Sequence, residues 1–544
     1  MRAFAELLDR LSLTASRNAK LTLVRDYLRA TPDPDRGWAL AALTGELSFT
    51  AAKPAFIRKA VEARMDPQLF WWSYDYVGDL AETVALVWPA RPGANREPEL
   101  SEVVDALRTA SRAEVQRLIE DWLDAMREPR ERWALLKLVT GGLRVGLSAR
   151  LAKQAAAAMG PEDGGVAVAE VEELWHALHP PYEDLFAWLE GRSEKPSSEN
   201  PGRFRPAMLA QAIDEAVDFA KLDPADYAAE WKWDGIRVQA VNEGGVRRLY
   251  TRTGDDISGT FPDILNALSD EGVVDGELLV IRDGQVASFA DLQQRLNRKA
   301  VDAKLMTAFP AAIRAYDLLA EGREDTRVLS FAERRKRLEA FVARQHSPRI
   351  DLSPLQPFAG WPELAALRAA PPPGDPQIAE GLMLKRWDSL YEAGRPKGPW
   401  FKWKRDPFLV DAVLMYAQRG HGKRSSFYSD YTFGVWTQDA VGQRALTPVG
   451  KAYFGFTDEE LKQIDKYVRD HTIERFGPVR AVRAEPHAGL VFEVAFEGLQ
   501  RSGRHKSGVA MRFPRINRIR WDKPPGEADE LATLERQLEQ MEGR

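Results

Sequence analysis

The sequence predicts three folded domains in series, an all-α region, an α+β region and a small C-terminal β-barrel, closed by a short polar helix. Three observations predict this. A chain of 544 residues exceeds what one hydrophobic core ordinarily serves. The hydrophobic period changes from helical to two near residue 200. Between the two regimes lies "GRSEKPSSENPGRFRP", residues 191 to 206, rich in Pro, Gly, Ser and charge, with nothing to bury. With 44% hydrophobic and 29% charged residues, the composition is that of a globular chain that needs no staples.

In chain order, residues 1–195 repeat helical spacing, as in Phe4, Leu7, Leu8 and Leu11 and again in Val115, Leu118, Ile119 and Trp122. From 203 to 405, strand-like "RVQAVNE", "VRRLYTR", "GVVDGELLVI", "AIRAYDLL" and "EGLMLKRW" alternate with helical "ASFADLQQRLNRKA" and "SFAERRKRLEAFVAR", which predicts an α+β domain. Residues 406–525 are mostly short β segments with one amphipathic helix at "DEELKQIDKYVRD". A small barrel fits this pattern, and the OB-fold is the commonest nucleic-acid-binding one. Residues 526–544, following two prolines, read as a polar helix.

The chain has no Cys, so disulfides, thiolate nucleophiles and Cys-ligated metal sites are excluded, in keeping with a reducing compartment. No secretory leader and no long apolar run are visible, and a cytoplasmic, monomeric protein away from membranes is expected. The net charge of −5 excludes a uniformly basic coat, but charge is unevenly spread. Between Arg501 and Lys523, Arg501, Arg504, Lys506, Arg512, Arg515, Arg518, Arg520 and Lys523 face one acid, Asp522. A charge run is ordinarily a solvated face. Here "VAMRFPRINRIRW" alternates apolar residues with arginines at strand spacing, so a polyanion-binding face is expected.

The chemistry concentrates in "AEWKWDGIRVQ", 229 to 239, where Asp and Gly after Lys232 break a strand and leave the lysine in a concave site. Alone this is an ordinary hairpin signal. Its companions change the reading. Glu277 follows Asp275 and Gly276 on one apolar strand, Glu380 and Lys385 lie on another, and "GPWFKWKRD" puts Lys402 and Lys404 two residues apart on one strand face. Ionised groups on several apolar strands are costly unless they converge on a ligand. A lysine amine attacks phosphorus only when unprotonated, a form that burial and neighbouring cations favour. Glu277 and Glu380 are then hard oxygen ligands for Mg²⁺ beside a triphosphate, and the site is a nucleotidyltransferase. The Gly-Lys pairs at Gly422 and Gly450 lack the Ser or Thr of a P-loop. "HALH" with His176 and His179 reads as a helix end rather than a metal site, and "FWWSYDY" reads as core.

At this point the sequence resembles the ATP-dependent DNA ligases of the covalent nucleotidyltransferase superfamily, in the bacterial form with an N-terminal helical DNA-binding domain. "KWDGIR" resembles motif I, "LYTRTGDD" motif Ia, "VVDGELLV" motif III, "RAYDLL" motif IIIa, "EGLMLK" motif IV, "WFKWKR" motif V and "RFPRINRIRWDK" motif VI, in the family's order. "ERWALLKLVTGGLRVGLSARL" is similar to a segment of the helical domain. The resemblance implies a DNA-binding domain at 1–195, an adenylation (nucleotidyltransferase) domain at 203–405 and an OB-fold domain at 406–525. It implies sealing of 5′-phosphate/3′-hydroxyl nicks in duplex DNA, in repair, replication or recombination, with ATP and with Mg²⁺ or Mn²⁺. Lys232 would form lysyl-AMP. Glu230 and Tyr316 would contact adenine, Arg237 and Arg252 phosphate and ribose, Glu277 ribose and metal, Glu380 metal, and Lys402 and Lys404 the α-phosphate. Arg512, Asp522 and Lys523 would orient the pyrophosphate. One departure is Pro396 where the family often has a basic residue, which leaves Arg395 or Lys397 as substitutes. The expected DNA contacts are Gly142 and Arg144 in "GGLRVGLS", with Arg501 and Arg504 in the barrel. A capping guanylyltransferase or an RNA ligase shares the lysine chemistry, but about 190 helical residues ahead of the core disfavour both; an inactive nucleic-acid-binding protein would not need Lys232, Glu277, Glu380 and Lys402.

Overall fold

The computed structural model describes residues 1–541 except 50–53, 78, 92, 94–95, 142, 161–165, 198–199, 297, 299–300, 373, 375–378, 421–426, 439–441 and 504. The described chain forms two compact units. One comprises Glu172–Ala177 with Ser197–Pro407; the other comprises Met1–Val171, Leu178–Pro196 and Phe408–Arg544.

The N-terminal region is helical from Arg2–Leu13 to Glu183–Leu189. Its helices are set by local capping. Pro129–Thr140 opens with a capping box between Glu128 and Glu131 and stops at Gly141, whose φ of 70° is left-handed. Ala149–Ala157 restarts when Ser148 accepts from the Leu151 amide. Between them, the Lys20 ammonium donates to the carbonyls of Val145 at 3.0 Å and Gly146 at 2.7 Å. Gly146 has φ 65°, and a Cβ there would lie 2.5 Å from the Lys20 nitrogen, so the loop needs glycine at that position. The reading of "FWWSYDY" as core holds for Phe70, which is fully buried, and fails for Trp71 and Trp72, which are 39% and 62% exposed. The reason is helical: on Pro67–Val77 an amphipathic helix buries one face, and Leu69 and Trp72, three apart, share the other.

The middle region holds two sheets. In one, Gly381–Arg386 lies between Trp400–Lys404 and Tyr227–Trp231, both antiparallel to it. In the other, Ile236–Glu243 lies between Val246–Thr251 and Gly272–Arg282, which pairs in turn with Ala311–Glu321. The predicted strands are all present. Tyr227–Trp231 is buried at every residue, because Tyr227, Ala229, Trp231, Phe401 and Trp403 form one core with Leu279 and Leu364. Inside the region Arg334 pairs with Asp317 at 2.7 Å with both side chains fully buried.

The C-terminal region is a sheet whose path runs Arg444–Ala452, Tyr428–Gln438, Phe408–Arg419, Val491–Phe496, Arg515–Arg520. Among the described residues no ladder joins Arg515–Arg520 back to Arg444–Ala452, so the structure gives a sheet domain without a closed barrel. The amphipathic helix is present as Asp458–Asp470. The final helix, Leu531–Met541, is not merely polar. Leu534 and Leu538 are buried in the core of this region, because two leucines four apart stripe one face of an otherwise charged helix.

The basic run also differs from its sequence reading. Arg515 pairs with Glu497 at 3.1 Å, Arg518 with Glu493 at 3.6 Å, Arg520 with Asp411 at 3.3 Å and Asp522 at 2.9 Å, and Lys523 with Asp411 at 2.7 Å. The acids arrive from the neighbouring strand Val491–Phe496, from Glu497 just after it, and from Phe408–Arg419 on that strand's far side. The strict alternation is broken twice, by Phe513 with φ 51° and by a register shift between Glu493 and Val494.

Candidate active site

Lys232 stands where the buried strand Tyr227–Trp231 runs out. Its amide donates to the Gly381 carbonyl at 2.8 Å, and its carbonyl accepts from the Glu380 amide at 2.7 Å. The backbone thereby fixes the lysine against Glu380 and the start of Gly381–Arg386. The chain then turns at Asp234 and Gly235. A Cβ on Gly235 would lie 2.4 Å from the Leu278 carbonyl and 2.9 Å from the Glu277 side chain. Only glycine allows this approach, which brings Lys232 and Glu277 into one site.

That site is a cavity of about 530 Å³, and Glu230, Lys232, Arg237, Arg252, Glu277, Tyr316, Glu380, Lys402 and Lys404 all line it. Every residue expected around the nucleotide from motifs I to V is therefore on one wall or another. Lys232 is ion-paired with Glu380, both about a fifth exposed. Lys402 and Lys404 project from the same face of Trp400–Lys404. Burial, then the charges of Lys404, Arg395, Lys232 and Arg252, lower the pKa of Lys402. Burial pushes the Glu277 carboxyl up to about 8, against the pull of Lys232 and Arg237. Of the substitutes for Pro396, Arg395 lines the cavity.

One feature was not legible as a role. Lys385, noticed in the sequence without an assignment, is buried with its ammonium 3.2 Å from Glu230 and 3.1 Å from the Tyr316 carbonyl. It lies 4.5 Å from the Tyr316 ring centroid and 4.6 Å from that of Trp400. Burial lowers its pKa, opposed by Glu230 and Asp317. The usable signal was its position at the end of an apolar strand. Arg237, expected at phosphate and ribose, also lines the cavity. Burial opposes its charge, yet Asp275 with Tyr316 and Tyr391 holds the guanidinium protonated well above its ordinary range.

The middle region, residues 207–404, matches the model of the ATP dependent DNA ligase domain; residues 424–523 match the ATP dependent DNA ligase C terminal region and 1–157 the DNA ligase N terminus. A probable DNA ligase of Koribacter versatilis is 32% identical over 98% of this chain and 96% of its own length. The chain belongs to the ATP-dependent DNA ligase family. Sealing of nicks in DNA is the general function of this family. DNA ligase 1 of Korarchaeum cryptofilum is 31% identical over 98% of the chain and 97% of its own length. A probable DNA ligase of Opitutus terrae is 31% identical over 97% of the chain, which spans 61% of that relative's length. The solved structure described as Pmar-Lig_PreS3 superposes over 95% of the chain with a TM-score of 0.57 at 14% identity, a likeness of fold.

Asp522 is held at a pKa of about 2 by the Arg520 guanidinium, Lys523 is paired with Asp411, and the Arg512 guanidinium lies 5.9 Å from the Phe513 ring centroid. Arg501 is exposed on the hairpin Gly498–Arg501. Arg144 is exposed and lines a cavity of about 950 Å³ in the helical region. Gly142 and Arg504 lie outside the described residues, as does Gly422. His176 lies in the one-turn helix Trp175–Ala177 that follows Val168–Leu174, with its ring 5.0 Å from that of Phe204.

Proposed function

We propose that this chain seals nicks with ATP by three transfers at phosphorus centred on Lys232. The observation that supports this reading most is convergence: eight further residues of the family pattern, drawn from several strands and their ends, line one cavity with Lys232, whose backbone is tied to Glu380 and Gly381. The Lys232 amine attacks the α-phosphorus of ATP, forming a P–N bond as pyrophosphate leaves. A 5′-phosphate oxygen of the nick displaces the lysine to give DNA-adenylate, and the 3′-hydroxyl then attacks the 5′ phosphorus, expelling AMP. Lys402 and Lys404 hold the α-phosphate, where their charge offsets what builds up in each transition state. Glu230 and Tyr316 hold the adenine, and Arg237, Arg252 and Glu277 the ribose and phosphates.

Glu277 and Glu380 suit a divalent cation of the Mg²⁺ or Mn²⁺ kind. Among the described residues no group of three or more acids and histidines gathers to hold a metal, so a cation there would need further ligands from phosphates and water. Bound there, it would neutralise phosphate charge. Residues 1–195 would grip duplex DNA through Arg144, and 203–405 would be the adenylation domain. Residues 406–525 would be an OB-fold whose Arg512, Asp522 and Lys523 orient pyrophosphate, with Arg501 on DNA. The helix within 526–544 packs onto that domain.

The test uses α-labelled ATP and GTP. Label from ATP on the wild type, absent in Lys232→Ala, together with ligation of a nicked duplex, supports the reading. Label from GTP would favour capping chemistry, and no label from either would favour a binding protein.

A further inference from the structure

Behind the cavity a chain of buried contacts leads away from Arg237. The guanidinium donates to Asp275 at 3.0 and 2.6 Å, to the Met208 carbonyl at 2.6 Å and to the Tyr391 hydroxyl at 3.1 Å. That hydroxyl donates in turn to Asp275 at 2.7 Å. Tyr391 and Asp275 are 5% and 2% exposed, so neither side chain faces solvent. Tyr391 is seated by its backbone, for its amide donates to the Arg327 carbonyl at 2.9 Å. Arg327 is held from the other side by Asp325 at 2.6 Å and by Glu173. Glu173 belongs to Glu172–Ala177, a segment that precedes the linker in sequence yet is part of the same compact unit as the cavity. A second contact fixes this segment there: the His176 ring lies 5.0 Å from Phe204 and 5.9 Å from Tyr250.

None of Tyr391, Arg327 and Glu173 lines the cavity, and the lysine chemistry needs none of them. A partly buried arginine that makes four hydrogen bonds to protein has its rotamer fixed before any nucleotide arrives, and such preorganisation lowers the cost of binding. We propose that Glu172–Ala177 is a strut of the nucleotide site: Glu173 holds Arg327, Arg327 seats Tyr391, and Tyr391 is a positioning residue that, with Asp275, fixes Arg237 toward ATP. The inference rests on the adenylation reading given above. It makes nucleotide affinity depend on residues that the sequence places at the end of the helical region.

The experiment measures the rate of lysyl-AMP formation from α-labelled ATP, without DNA, as ATP is varied. In Tyr391→Phe the ring stays and one hydroxyl goes, so half-saturation should rise about tenfold, the scale of one buried hydrogen bond, with the maximal rate within about twofold. Glu173→Gln should raise half-saturation about threefold in the same direction, and Glu173→Asp should recover part of it. The double variant should show less than the product of the two effects, because both act on one chain of contacts. Wild-type half-saturation in Glu173→Gln, a strictly multiplicative double variant, or a fall in maximal rate at unchanged half-saturation would each overturn the strut. Glu173 is partly exposed, so its variants keep the test decisive even where Tyr391→Phe lowers the melting temperature. Failure of the wild type to take label counts against the adenylation reading instead.

Discussion

The nucleotide cavity and the basic strand of the C-terminal sheet both carry dense charge, yet they use it in opposite ways. In the cavity Lys402, Lys404 and Arg395 sit together, and the pKa of Lys402 is lowered by burial and then by its cationic neighbours. In Arg515–Arg520 and beyond, Arg515, Arg518, Arg520 and Lys523 each have a carboxylate within 4 Å. Like charges kept close are costly and persist where a ligand of opposite charge belongs. Charges that find partners are compatible with structure alone. The difference teaches that a run of arginines in a sequence is no measure of the field it presents until the neighbouring strands are known.

The largest effect expected from this comparison separates Lys232 from Lys523. With ATP and a plain nick, Lys232→Ala and Lys523→Ala should both abolish sealing, by at least about a thousandfold, since electrostatic and nucleophilic roles at phosphorus are each worth several kcal/mol. On a nick that already carries AMP, Lys523→Ala should seal normally, Lys232→Ala should retain partial activity, and Lys402→Ala should stay impaired. Normal lysyl-AMP formation by Lys523→Ala, with failure on the preadenylated nick, would reverse the division between the two regions.

A smaller loss is expected at the carboxylates. Glu277→Ala and Glu380→Ala should each slow sealing by roughly a hundredfold, with partial recovery at raised Mg²⁺ or Mn²⁺. Rates equal to wild type in both variants would remove these residues from the cation site.

Stability should sharpen the contrast between buried and surface charge. Asp317→Asn breaks the fully buried pair with Arg334 and should cost about 3–5 kcal/mol. Glu493→Gln frees Arg518, itself 59% exposed, and should cost under about 1 kcal/mol. Chemical denaturation with matched slopes reads both, and equal costs would collapse the distinction.

The smallest change concerns DNA. Arg144→Ala should flatten the dependence of nick binding on salt by about one unit of slope, the effect of one phosphate contact. An unaltered slope would take Arg144 off the interface.

Much of this was legible because motifs I to V are local. Period two placed Lys402 and Lys404 on one face, and a glycine after a lysine and an aspartate announced the turn at Gly235. What was not legible depended on residues distant in sequence. The partners of Arg515 and Lys523, at Glu497 between two strands and Asp411 on another strand, cannot be counted along a window. Lys385 is legible only as one of several ionised groups on apolar strands, and the packing of Tyr316 and Trp400 around it shows it buried. Trp72 was misjudged because aromatic content says nothing about which helical face a side chain occupies. The final helix was judged by its charge, and two leucines four apart decided its packing.

Asp411 accepts from both Arg520 and Lys523, and Arg520 also holds Asp522. Two cations and two carboxylates make a quadruplet with no net charge. Its potential decays far more steeply with distance than that of a lone lysine, and beyond a Debye length of about 8 Å it is effectively silent. Such a cluster draws no polyanion from afar, whatever its length. It can reward only a ligand already delivered to within touching range, so discrimination there is a matter of fit on arrival and not of capture on approach.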